Sequence, residues 1–424
     1  MRKIKTVLVF ITLTIVAVNL LLGFWGISSI ILTAIIYAAL LLFSRGMINV
    51  LSKNDGLNPN LKLLFTVTFI SLFICELSLK YIFKVGLEAQ EIEGDFFYSL
   101  PYGNHHIEQL ARKHILKLSD PFLINRPANS SNTIQTSEFT YIHNYNTLGL
   151  RGKNIDTQSK LFNIVTLGDS YTEGIGAAGD STWTKLLEDN LNDKRTHGLI
   201  FSNKVQCING GLAGSDPFSE YYIFKKLLLP AKPKIVLLSI NGTDITDVIK
   251  YGGFERYTHP KDAPWWAYIY QFSYIHRALM HAIYNTNWLL LTPEENRIAE
   301  TKAMEKIVDC INNYYIPLAT QHQFELIIVL HPMLNELEKN EFQLSEYTHN
   351  VHALSKKNVV NLFDQFKSFN HKTGLAFSSI FWKFDGHHNA QGYLIWSNLV
   401  AQSIVENHSA IFTSNASDTI SHNP

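Results

Sequence analysis

From Leu161 to Leu167 the chain is apolar except at Asn163 and Thr166. It then breaks at Gly168-Asp169-Ser170, with Thr172, Glu173, Gly174 and Gly176 close behind. Such a run reads as a strand buried on both faces, as in a parallel sheet covered by helices. Open sheets of that class place their chemistry in the turns at the carboxyl ends of strands. Ser170 is therefore a candidate nucleophile. The competing reading is a turn in which Asp169 and Ser170 only cap the next helix.

The pattern after Leu161 supports a sheet. Apolar strands are expected at Leu161–Leu167, Lys204–Ile208, Ile235–Ile240, Leu326–Leu330 and Val359–Leu362. Helices are expected at Thr182–Leu191, Phe218–Leu229, Pro293–Gln321 and Ala390–Glu406. The long one opens with Thr292, Pro293 and Glu295, a cap, a first-turn proline and an acid. Strands alternating with helices imply a three-layer α/β/α domain around a parallel sheet. Its expected extent is 141–408, with 409–424 a disordered tail. Residues 251–291 interrupt the alternation with aromatics, among them Trp265, Trp266, Tyr268, Tyr274 and Trp288. Such an insertion packs on itself, or forms a lid or membrane-facing wall.

The first 86 residues have a different composition. Runs at about 6–22 and 27–44 carry no charge, and each nears the roughly 20 apolar residues of a membrane helix. A third run, 63–83, carries Glu76 and Lys80, four apart on one helix face and able to pair. The expectation is that this run leaves the bilayer there, with Lys80 and Lys84 reaching for the interface. Basic residues at Arg2, Lys3 and Lys5, and at Arg45, Lys53 and Lys62, place both flanks in the cytoplasm. Three spans put the remainder on the extracytoplasmic side, after a stalk and edge segment at 87–140. Two spans would leave it cytoplasmic.

Formal net charge is zero, with 36 basic and 36 acidic residues. No basic face argues for nucleic acid. Cys75, Cys207 and Cys310 lack metal-ligand spacing and read as small buried hydrophobes. The paired His105-His106 reads as surface.

A serine nucleophile needs a base, a group to hold that base, and donors for an oxyanion. The stretch Phe384-Asp385-Gly386-His387-His388-Asn389 offers Asp385 as holder and either His387 or His388 as base. Asn209-Gly210-Gly211-Leu212-Ala213-Gly214 offers backbone N–H groups. Ile240-Asn241-Gly242-Thr243-Asp244 offers a side-chain donor from Asn241 or Thr243. All these turns follow expected strands, on one rim of the sheet.

Four blocks in this order resemble the SGNH (GDSL-like) hydrolase family: Gly168-Asp169-Ser170, Asn209-x-Gly211-x-x-Gly214, the turn ending Thr243-Asp244, and Asp385-x-His387-His388. The resemblance covers roughly residues 140–405. Asn146–Gly152 also looks like the turn that often precedes the first block. The family implies a flavodoxin-like sheet, Ser170 as nucleophile, and an oxyanion hole from the Ser170 and Gly214 N–H groups plus an asparagine side chain. It needs no metal or organic cofactor. The third block departs from the family form, because Thr243 stands where asparagine precedes the aspartate. Gly392 lies five after His387, the family's spacing, which favours His387 over His388.

The implied chemistry is a Ser170 acyl-enzyme with His387 as base and Asp385 orienting it. The expected protein is a membrane-anchored ester hydrolase acting on O-acyl groups of cell-envelope glycan or lipid. O-acyl transfer on the same substrates is the alternative. A non-catalytic envelope component that binds glycan or a partner through an altered site is the third reading.

Overall fold

The protein is described from a computed structural model. It describes residues 59–83, 127–156, 160–198, 203–255, 273–276, 278–279, 293–346 and 356–413. The chain divides into two compact units, Met1–Ile107 with Lys261–Glu295, and Glu108–Pro260 with Asn296–Pro424.

In the first unit the third apolar run, 63–83, is helical as far as Tyr81, in α1, Pro59–Tyr81. Among the described residues, α1 included, no helix is long and apolar enough to cross a membrane, so the expected third span at 63–83 is not borne out. The runs at 6–22 and 27–44, and stalk residues 84–126, lie outside the described residues. Glu76 does more than mark a helix boundary. It is 1% exposed, and its carboxylate accepts from the Ser273 hydroxyl at 2.7 Å, the Ile275 N–H at 3.0 Å and the Tyr274 N–H. Hydrogen bonding of this kind is what makes a buried carboxylate tolerable. The residues it holds belong to the aromatic insertion, of which 256–272 and 280–292 lie outside the described residues.

The second unit is built on a five-stranded sheet. Its strands are β3 (Phe162–Leu167), β4 (Val205–Asn209), β5 (Ile235–Ile240), β6 (Glu325–Leu330) and β7 (Val359–Asn361), in the order β4-β3-β5-β6-β7. Every neighbouring pair is parallel. All six residues of β5 are buried, as a central strand requires. Counted from β3, the order is the flavodoxin-like 2-1-3-4-5, whose switch point lies between its first and third strands. Here those are β3 and β5, so the Ser170 and Asn241 turns leave the sheet side by side.

Helices flank the sheet. A single turn, α2, covers Ser170–Glu173. Helix α3, Trp183–Thr196, buries Trp183, Leu187 and Leu191 at helical spacing. Then come α4 (Pro217–Ile223), α5 (Gly242–Tyr251), α6 (Pro293–Cys310), α7 (Ile316–His322), α8 (Leu362–Thr373) and α9 (Ala390–Thr413). Trp396 of α9 stacks on Trp183 of α3, centroids 4.8 Å apart.

Several expectations are corrected. The long helix Pro293–Gln321 is α6 and α7 joined by a π turn at Ile311–Tyr315. Pro317 has no N–H for the regular ladder, and the chain widens just before it. The insertion does not begin at 251, because that residue ends α5 and Phe254 packs against Phe218 at 4.7 Å. The tail is not disordered from 409: α9 runs to Thr413, and Phe412 is fully buried against Phe162 at 4.8 Å. Part of the expected stalk is regular structure: β1 (Ser131–Gln135) pairs antiparallel with β2 (Thr140–Asn144).

Candidate active site

Ser170 opens α2 directly beyond β3. The Asp169 carboxylate caps that turn by accepting the Tyr171 N–H at 3.0 Å. Capping and presentation of the serine are thus compatible roles for one tight turn. His387 Nε2 lies 2.7 Å from Ser170 Oγ. His387 Nδ1 lies 2.6 Å from Asp385 Oδ1. With Nδ1–H donated to the carboxylate, Nε2 keeps its lone pair for the serine proton. The His387 and Asp385 side chains are 19% and 18% exposed, open enough for a substrate to reach. Tyr171 braces the loop: its ring lies 4.6 Å from that of His387 and its hydroxyl donates to Gly386 O at 2.9 Å.

Both ring nitrogens of His388 are committed away from Ser170. The residue is fully buried, with Nδ1 donating to Ile380 O at 2.9 Å and Nε2 against His331 Nε2 at 2.9 Å. That pairing requires His331 to donate and His388 to accept, so the His388 ring is neutral. Burial lowers the His388 pKa to about 3, and burial with the neighbouring histidines pushes His331 well below the usual range. The Gly392 spacing also has a local cause. A Cβ there would sit 2.3 Å from both His388 Nδ1 and Ile380 O. Gly392 thus serves the buried histidine and not the base directly. His331 escaped the sequence reading although it directly follows a buried strand. Its ring stacks on Trp396 at 4.2 Å and packs on Tyr171 at 4.7 Å.

The donor loop lies against the nucleophile turn. A Cβ on Gly211 would fall 2.2 Å from the Glu173 N, so only glycine permits this approach. The Ala213 N–H donates to Glu173 Oε2 at 2.6 Å. Gly214 adopts φ +74°, the left-handed region. Among the described residues its N–H and that of Ser170 donate no backbone hydrogen bond.

Both third-donor candidates converge on Asp169. Asn241 Nδ2 donates to Asp169 Oδ2 at 3.0 Å. The Thr243 hydroxyl lies 2.5 Å from Asp169 Oδ2 and 2.5 Å from Asn241 Oδ1. Thr243 has one proton and two acceptors for it, whereas Asn241 has a second N–H left over. The geometry therefore ranks Asn241 ahead of Thr243. Nearby, burial raises the Glu220 and Asp244 carboxyls well above the ordinary range. The negative charge of Asp169 beside them adds to the same upward shift. Among the described residues no group of three His, Cys, Asp or Glu side chains is placed to hold a metal ion.

No protein-family model matches the chain, and no curated protein does. Solved structures do. An acetyl xylan esterase, AlAXEase, is 13% identical with TM-score 0.36, covering 57% of this chain and 99% of that one. Axe2, an acetylxylan esterase from Geobacillus stearothermophilus, is 14% identical with TM-score 0.33, covering 59% and 96%. The lipase/acylhydrolase from Enterococcus faecalis is 15% identical with TM-score 0.29, covering 58% and 96%. Likenesses this distant carry no functional weight beside the geometry of Ser170, His387 and Asp385.

Proposed function

We propose that the chain is a serine ester hydrolase of the SGNH type. The observation that carries this is the line from Ser170 Oγ to His387 Nε2 at 2.7 Å and on to Asp385 at 2.6 Å. His387 takes the serine proton as Oγ attacks an ester carbonyl. In this reading the N–H groups of Ser170 and Gly214, with the second N–H of Asn241 Nδ2, donate to the oxyanion. His387 then returns the proton to the leaving alcohol, and water discharges the acyl-enzyme by the same route. A sugar hydroxyl in place of water would make the reaction acyl transfer.

The substrate class is an O-acyl ester of cell-envelope glycan or lipid. Its support is placement: the uncharged runs at 6–22 and 27–44 and the basic residues flanking them fit a membrane anchor. Helix α1 exposes Leu63, Leu64, Val67, Ile70 and Ile74, a surface suited to lipid. We place the second unit on the extracytoplasmic side on the strength of the sequence pattern alone, α1 not being long and apolar enough to cross a membrane. An exported-only reporter fused after Gly86 is expected to be active, and a silent one refutes that placement.

The full chain in detergent, offered an aryl acetate, should release the phenol. Turnover absent in the wild type, or undiminished in Ser170→Ala, overturns the enzyme reading in favour of a binding component.

A further inference from the structure

A further set of residues that hold this site in shape comes from the β1–β2 hairpin, which precedes the sheet in the chain and contributes nothing to the reacting atoms. At its tip the Glu138 carboxylate accepts two backbone N–H groups, from Phe384 at 3.0 Å and Asp385 at 2.8 Å. Asp385 is the residue that orients His387. The tip is itself fixed: Thr136 Oγ1 accepts the N–H groups of Glu138 at 3.2 Å and Phe139 at 3.0 Å. The Phe139 ring lies 5.3 Å from Trp382, whose Nε1 donates to Gly176 O at 2.8 Å.

The inner face of β2 continues the brace. Tyr141 and His143, two apart, are its buried positions. Tyr141 Oη accepts the Gly176 N–H at 3.3 Å. His143 Nε2 lies 3.2 Å from Glu173 Oε1, and the other oxygen of Glu173 holds Ala213, next to Gly214. One ribbon thus reaches both the acid–base loop and the oxyanion loop.

We infer that Glu138 is a positioning residue for acyl transfer, setting the backbone of Asp385 and through it the ring of His387. The inference rests on the proposed roles of Ser170, His387 and Asp385. Two convergent N–H groups need an acceptor with several lone pairs, which a carboxylate supplies and a glutamine oxygen supplies in part. Without an acceptor, the N–H groups of Phe384 and Asp385 turn to water, because Phe384 is 39% exposed. The fold then persists while the acid loop loosens. Displacements of about 1 Å in such a constellation cost up to about 100-fold in rate.

The test uses the full chain with an aryl acetate, and the labelling rate of Ser170 by a fluorophosphonate. Glu138→Ala is expected to lower kcat about tenfold, to slow labelling in proportion, and to leave KM and the thermal midpoint nearly unchanged. Glu138→Gln should recover most of the rate. Thr136→Ala, which frees the tip without touching the acid loop, should show the same kcat loss in smaller measure. Wild-type kcat and labelling in Glu138→Ala, or a loss carried by KM or by unfolding alone, overturns the inference. An inactive wild type, or an active Ser170→Ala, instead overturns the functional reading on which it rests.

Discussion

His387 and His388 are adjacent in sequence and share a residue type, yet they serve opposite regions of the molecule. His387 stands in a half-open layer with Ser170 and Asp385, its ring nitrogens committed to a hydroxyl and a carboxylate. His388 lies fully buried in a closed cluster with His331, Ile380 and Trp396. In the open layer an imidazole can take and return a proton. In the closed one, burial removes that ability and leaves a neutral hydrogen-bonding wedge. Tyr171 packs between the two, against His387 on one side and His331 on the other. Chemistry and scaffold are therefore separated by one peptide bond and one aromatic ring.

Four outcomes would break or sharpen that contrast. The largest is in turnover. Ser170→Ala and His387→Ala should each lower kcat/KM for an aryl acetate by about 10³-fold or more, while folded His388→Gln stays within about tenfold. Equal losses in His387→Ala and His388→Gln would dissolve the distinction. Next comes the oxyanion side of the open layer. Asn241→Ala should cost about 10²-fold in kcat, and Thr243→Ala less than about tenfold, since the Thr243 proton is already committed. The reverse ranking would make Thr243 the third donor.

In the closed layer the effect moves to stability. His388→Gln should lower the urea midpoint by the equivalent of about 1–3 kcal/mol, because it strands the His331 N–H, whereas Ile380 O keeps the Asn389 N–H. His387→Gln, at a partly exposed position, should change stability by less than about 0.5 kcal/mol. The smallest effect is a slope. A histidine held neutral in the folded state at a pKa of about 3 binds its proton only on unfolding. Stability present above the ordinary histidine range, about 6.5, is therefore lost as pH falls through the window toward 3. Glu220 and Asp244, raised in the fold, act oppositely, losing stability as pH rises past ordinary carboxylate values. Urea midpoints between pH 7.5 and 5 should fall less steeply in His388→Gln than in the wild type. Identical slopes would mean that His388 is not held neutral.

The five sheet strands were legible because a strand buried on both faces announces itself as a short apolar run. The rim turns were legible because glycine and polar residues interrupt those runs. The β1–β2 ribbon was not, since β1 is a polar SNTIQ segment with four of its five residues exposed, and Glu138 at its tip meets Phe384 and Asp385 from the far end of the chain. Glu138 looked like any surface acid. His331 carried a weak signal in its position after β6, but nothing local says that it meets His388. The spacing of Gly392 pointed to the histidine that contacts Ser170 for a reason the fold revises: that glycine makes room for the other one.

From sequence alone followed the parallel α/β sheet, the rim that holds the turns, and the membership of Ser170, Asp385 and a neighbouring histidine in one set. Those are properties of periodicity and order, and both are local or linear. Only the tertiary structure decided which histidine faces the serine, how Asn241 and Thr243 share Asp169, where α9 ends, and that an early hairpin steadies both loops. These depend on distances between residues far apart in the chain, and a hydrogen bond is set by tenths of an ångström that no spacing rule encodes.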